Sequence, residues 1–324
     1  MTPLLLKALL FGVAMLATVV SSTHQVKADF PDRPITIVVP FAAGGPADVI
    51  ARIVGEHMAV TLGQSVLVEN VTGAGGTTGT IRGAQAKADG HTIMMGHMGT
   101  HGAAPAQYPN LKYDPAKDFA PIGLVAATPI LIVAKKHFPA DTLNEFMAYV
   151  KSHQDSVSEA HAGVGSVSHT TCSLLQSIMG TKTARVAYRG TGPALNDLVA
   201  GQVDFACDQI VNVAPQIRAG TIKAFAIATV ERSPVVKDVP TSQEAGMPQF
   251  MVSAWQALFA PKDTPPKALA ALNGALVKAL DDPTTLARLL ELGSVIPDKA
   301  GRSPQALQQL VESEVARWAR VLSH

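Results

Sequence analysis

Short β-branched runs recur along this chain, with amphipathic stretches of helix length between them. The runs fall at 35–39, 66–71, 92–95, 130–133, 185–187, 204–207, 224–229 and 253–260. The amphipathic stretches include 47–62, 143–153, 170–179 and 193–200. Few folds accept this alternation. Strand-length runs interleaved with helices predict βαβ units around mainly parallel sheets, an α/β protein.

A chain of 324 residues has room for two domains. Two segments rich in Pro, Asp and Lys, 108–129 and 230–248, read as crossovers. The chain would leave a first domain, build a second and return. The expectation is two Rossmann-like lobes: one from 29–127 with 230–324, the other from 128–229. Three C-terminal helices, at 266–280, 283–292 and 304–322, would pack on the first lobe, each with proline in its first turn, where the missing N–H costs nothing. Two α/β lobes joined by two strands form a hinged cleft. Exported chains of this build capture small solutes by closing on them.

The beginning of the chain fits export. Lys7 precedes an apolar stretch at 8–20, and Val26-Lys27-Ala28 places small residues where a signal peptidase reads. We therefore expect a cleavable leader at 1–28 and a soluble periplasmic protein starting near Asp29, with a retained anchor as the alternative. Lys and Arg total 26 against 25 Asp and Glu, with no basic block, which argues against a nucleic-acid partner. Aromatic residues are only 5% of the chain and offer no base-stacking platform. Cys172 and Cys207 are the two cysteines. An oxidising compartment favours a bridge, but their spacing leaves a disulfide and two buried thiols both open.

Four glycine turns carry the chemistry. The first, Phe41-Ala42-Ala43-Gly44-Gly45-Pro46-Ala47-Asp48, joins a strand to a helix as a phosphate loop does. It lacks the Walker lysine and Ser/Thr, and it lacks the Gly-x-Gly-x-x-Gly fingerprint. Free N–H groups at the helix start still favour an anion, and without a lysine a carboxylate suits them better than a triphosphate. Asp48 is placed to cap that helix or to serve the site. In the second turn, 70–79, glycines including Gly76 allow close approach of backbone, and Thr77 adds a hydroxyl.

The third turn places Ser166, Ser168 and His169 at a helix start. It fails the Gly-x-Ser-x-Gly pattern of a nucleophile elbow, so the serines read as caps and anion donors and His169 as a packing or hydrogen-bonding residue. The fourth, Tyr188-Arg189-Gly190-Thr191-Gly192-Pro193-Ala194, repeats the layout of the first. Asp208, at the end of the next strand, could accept from a ligand ammonium or hydroxyl, or make a hinge-side bond. His97 and His101 are four residues apart, but the surrounding glycines argue against a helix and the zincin glutamate is missing, so no metal site is expected. No cofactor motif is present.

Taken together, "PDRPITIVVPFAAGGPADVIAR", "VENVTGAGGTTG", "SHTTCSLL", "VAYRGTGPALNDLVAGQVDFACDQ" and "VPTSQEAGMP" resemble the substrate-binding proteins of tripartite tricarboxylate transporters, the Bug family. The resemblance runs through essentially the whole mature chain. It implies a two-lobed periplasmic binding protein of Venus-flytrap architecture, a monomer that delivers a small carboxylate solute to a membrane permease and is not an enzyme. It also implies a ligand carboxylate held partly through water, by Phe41, Ala42, Gly44 and Gly45 on one side and Ser166, Ser168, Gly190, Thr191 and Ala194 on the other. His91 stands where the family usually has Tyr, and 97–100 would face the distal part of the ligand. A ligand-sensing subunit for a membrane kinase and an exported serine hydrolase using Ser166 or Ser168 with His169 are the rival readings.

Overall fold

The computed structural model describes residues 30–322, so the expected leader at 1–28 lies outside the described residues. The nine strands among them form one curled, mixed sheet. Its first half runs β2 (Val66–Asn70), β1 (Ile35–Val39), β3 (Thr92–His97), β9 (Ser253–Pro261) and the N-terminal part of β4 (Phe119–Lys135). Its second half runs from the C-terminal part of β4 to β7 (Phe205–Gln209), β5 (Ser158–His161) and β6 (Ala184–Ala187). There β8 (Ile222–Ile227) pairs with β4 as well.

Two expectations need correction. The sheet is not mainly parallel: β1 pairs in parallel with β2 and β3, and β5 with β6 and β7, but every pairing made by β4 or β9 is antiparallel. The first crossover, expected over 108–129, is strand only from Phe119, and that strand runs on through the expected 130–133 run to Lys135. Pro121 and Pro129 masked it, yet β4 continues because its register with β9 shifts between Pro121 and Gly123 and again between Leu124 and Ala126, irregularities that accommodate proline in a ladder. Residues 119–129 of this strand face β9 and residues 130–135 face β7 and β8. One strand thus belongs to both halves.

Helices cover both faces. In the first half, α1 (Pro46–Leu62) packs on α8 (Pro266–Asp281), with Ile37, Ile50, Val54, Leu272 and Leu276 in a common apolar cluster. Each such fully buried aliphatic side chain contributes about 1.5–3 kcal/mol. The opposite face receives α10 (Pro304–Val321), whose Leu307, Val311 and Trp318 join a cluster that continues through Trp255 and Phe259 into Phe205 and Phe225 of the second half. Glu314 on α10 accepts from both buried indoles, Trp255 Nε1 at 3.2 Å and Trp318 Nε1 at 2.9 Å. No helix among the described residues is long and apolar enough to cross a membrane.

Candidate functional site

A cavity of about 270 Å³ opens where the two halves meet, and four helix N-termini point at it. Gly45, Pro46 and Ala47 begin α1. Ser166, Val167 and Ser168 begin the helix Val167–Met179, α5. Gly190 to Pro193 begin the helix Thr191–Val199, α6, and Asp208 and Gln209 lead into the helix Ile210–Arg218, α7. The first N–H groups of each helix have no intrahelical acceptor and carry the positive end of its dipole.

Among the described residues no Lys or Arg lines this wall. His97 does, stacked on Phe41 with ring centroids 4.7 Å apart. Its Nδ1 accepts from Gly99 N at 2.8 Å and Thr100 N at 3.3 Å, and burial pulls its pKa down to about 4, so it contributes no charge near neutral pH. The cavity is therefore rich in donors and empty of cations.

The sequence fixes the first loop locally. Gly44 sits at φ +79°, which a side chain disfavours, and its N–H donates to Asp48 Oδ2 at 2.9 Å. Asp48 also accepts from Asn70 Nδ2 at 2.9 Å and pairs with Arg52. Asn70 in turn donates to the Phe41 carbonyl at 3.0 Å. Asp48 does not line the cavity; it ties the loop, β2 and α1 together from behind. Those donors hold its carboxyl below the usual range although burial opposes them.

Opposite, Ser166 Oγ caps α5 by accepting from His169 N at 3.2 Å, and Ser168 Oγ accepts from Ala162 N at 3.0 Å. The two hydroxyls lie 3.2 Å apart, so one can donate to the other while the second hydrogen is left for a ligand. Gly190, at φ +123°, brings α6 close enough that a Cβ there would sit 3.3 Å from Ala42 Cβ across the cleft.

Phe41, Ala42, Gly44, Gly45, Ser166, Ser168, Gly190, Thr191 and Asp208 come together around one space. Besides Asp48, four expected residues do not reach it. Thr77 turns to the Ala74 carbonyl at 2.9 Å. Gly76 lies under the Phe41 ring and lines an adjoining hollow of about 410 Å³. Ala194 is buried in the second half's core. His169 faces a separate groove with Arg185, and burial pulls its pKa down to about 4. Its ring therefore activates neither serine, and the hydrolase reading loses its base.

Ala162, Gln209 and Gln256 line the cavity without having been singled out as its ligands, and of the segment 97–100 expected to face the ligand only His97 lines it. Gln209 and Gln256 come from separate strands, and only the sheet brings their amides to 3.2 Å. His101 is stacked on Phe259, and Met98–Ala103 forms a wide helical turn despite its glycines. Among the described residues no group of three or more His, Cys, Asp or Glu could hold a metal. Cys172 on α5 and Cys207 on β7 are bonded, with Cα atoms 5.2 Å apart.

Residues 50–324 match the family described as tripartite tricarboxylate transporter family receptor. This chain belongs to that family. Among solved structures, MatC from Rhodopseudomonas palustris with bound malate is 51% identical to it, covers 90% of this chain and 100% of its own, and superposes with a TM-score of 0.88. The periplasmic binding protein BugD is 41% identical over 91% of this chain and 98% of its own, TM-score 0.87. Protein BugT of Bordetella pertussis is 33% identical over 92% of this chain and 91% of its own. The receptor thus has the two-lobed periplasmic-binding-protein fold, in a family of receptors of tripartite tricarboxylate transporters.

Proposed function

We propose that this receptor captures a small dicarboxylate of about four carbons and hands it to its cognate permease as a non-catalytic monomer, after export by a leader at 1–28. The observation that carries this reading is the convergence of four helix N-termini on a cavity with no cationic side chain. Such a wall favours an anion through backbone donors. The volume, about 270 Å³, falls below the roughly 300–1,000 Å³ of sites for drug-sized ligands and suits a compact acid. The malate bound by the 51% identical MatC supports the same class.

The lobes that close are 29–127 with 230–324, and 128–229. The hinge then runs through β4 near Pro129-Ile130 and through the segment returning from β8 to β9. Thr77 and His169 stand outside the ligand set, and Asp48 and Gly76 support it indirectly. Thermal shift with succinate, malate, fumarate, adipate and citrate tests the reading. A ligand at about 100 times its Kd adds roughly 2.7 kcal/mol, a rise of several degrees. Stabilisation by four-carbon diacids is the expected result. Stabilisation by neutral sugars only, or by no carboxylate, would overturn it.

A further inference from the structure

One acidic side chain stands inside this anion cavity. Asp208 is 5% exposed. Its Oδ1 accepts from Gln209 N at 2.7 Å and Asn212 Nδ2 at 3.1 Å, while Oδ2 has no protein partner among the described residues. A sphere of about 270 Å³ is roughly 8 Å across, so a bound carboxylate and an ionised Asp208 would face each other within a range where protein charges interact strongly.

Among the described residues no Lys or Arg lines the cavity to offset them, and Arg189 lines only the adjoining hollow. Across the cavity the titratable group is His97, held neutral. On β5 they are Glu159 and His161, and on α5 it is His169. On β4, Lys135 pairs with Asp204, and on α6, Asp197 accepts from Tyr188. Arg218 lies at the far end of α7. No charge from any of these bears on Asp208; burial alone lifts its pKa, to about 6, against the two hydrogen bonds it accepts.

We propose that Asp208 makes capture proton-linked: it is ionised in the empty cavity near neutral pH, takes one proton from solvent as the carboxylate enters, and donates that O–H to the ligand. This rests on the carboxylate reading above. Bringing a second negative charge into the cavity raises the pKa of the first, so the complex binds more protons than the free protein. Affinity then falls as pH rises above about 6. Selectivity follows as well: a wall that supplies its own proton takes a plain diacid without requiring a hydroxyl on it.

Calorimetry with succinate and malate tests this on the mature protein, between about pH 6.5 and about pH 8.5, where both acids are fully ionised. Wild-type Kd should rise at least about tenfold across that range. Titration in two buffers of different ionisation enthalpy should show uptake of close to one proton. Asp208→Asn, which keeps a donor without a charge, should give a Kd nearly independent of pH. A flat wild-type profile with no proton uptake would overturn the proposal, and so would an Asp208→Asn variant with the wild-type slope. Those results would leave the carboxylate function standing, whereas failure of both acids to bind at every pH would remove both.

Discussion

Replacing Gly75 by alanine should weaken ligand binding without touching the ligand cavity. Gly75 lies in the turn after β2, at φ +63°, against the turn after β5 on the other half. A methyl group there would overlap the Val164 carbonyl oxygen and the Tyr108 hydroxyl, and would lie 2.7 Å from the Val164 carbonyl carbon. That is far inside van der Waals contact, and the obstacle is backbone, so the halves must part. Parting breaks the bond from Tyr108 Oη to the Val164 carbonyl and strains that from Gln107 Nε2 to Thr170 Oγ1, 2.9 Å long. At about 1 kcal/mol each, their loss disfavours the closed form by about 2 kcal/mol, or roughly 30-fold in Kd. Alanine at positive φ adds about 1–2 kcal/mol of backbone strain in either form. Gly63→Ala isolates that strain, because Gly63 has φ +67° and nothing within 4 Å of its would-be Cβ. Both variants should therefore lose similar thermal stability in the ligand-free state, while only Gly75→Ala loses affinity by calorimetry. Equal affinities for the two variants would refute the interlobe contact as a determinant of closure.

Three further outcomes follow from the same contacts. Asp48→Ala strands the Gly44 N–H, Asn70 and Arg52, and should lower stability by about 2–4 kcal/mol in chemical denaturation and weaken ligand binding; Asp48 lies below its unfolded pKa, so its contribution is present above about pH 4 and is lost as pH falls further. Glu159 is the opposite case: buried, it is pushed up to about 7, so the folded state holds its proton more tightly than the unfolded state and its cost grows as pH rises from about 4.5 through 7. Glu159→Gln should then raise Tm more at about pH 8 than at about pH 5, and an equal change at both would refute the assignment. Replacing Cys172 and Cys207 with serine opens a 35-residue separation and should cost about 4 kcal/mol of unfolding free energy.

The helices and most strands were legible because their signals are local. Proline at the first turn placed α8, α10 and the helix Pro283–Glu291 to within a residue or two of expectation, and the last two also carry an N-cap acceptor, Ser303 and Asp282. The strand Ser158–His161 was missed because its sequence, Ser-Glu-Ala-His, carries polar residues that the fold buries: Glu159 is 0% exposed, held by Gln176 and Arg185 from elsewhere in the chain. The N-terminal part of β4, 119–129, was hidden by its prolines, whereas the run at 130–133 was legible. At the site, the glycine turns could be read, but the direction of each side chain could not. Asp48 and His169 sit one position from lining residues and turn away, a rotation decided by tertiary partners such as Asn70 and Arg185, while Thr77 turns to Ala74 within its own turn.

The missing lysine of the first loop has a mechanical consequence. A lysine in one half would hold an anion whether or not the other half were near. Here the donors are divided: α1 brings its N-terminus from the first half, and α5, α6 and α7 bring theirs from the second. A helix-terminus interaction fades within about a turn of the helix, and water restores full screening once the cleft parts. Neither half alone offers more than part of the wall, so affinity is a property of the closed form and drops when the hinge opens. A protein that must release its solute to a permease needs that dependence on closure, and backbone donors shared across a hinge supply it.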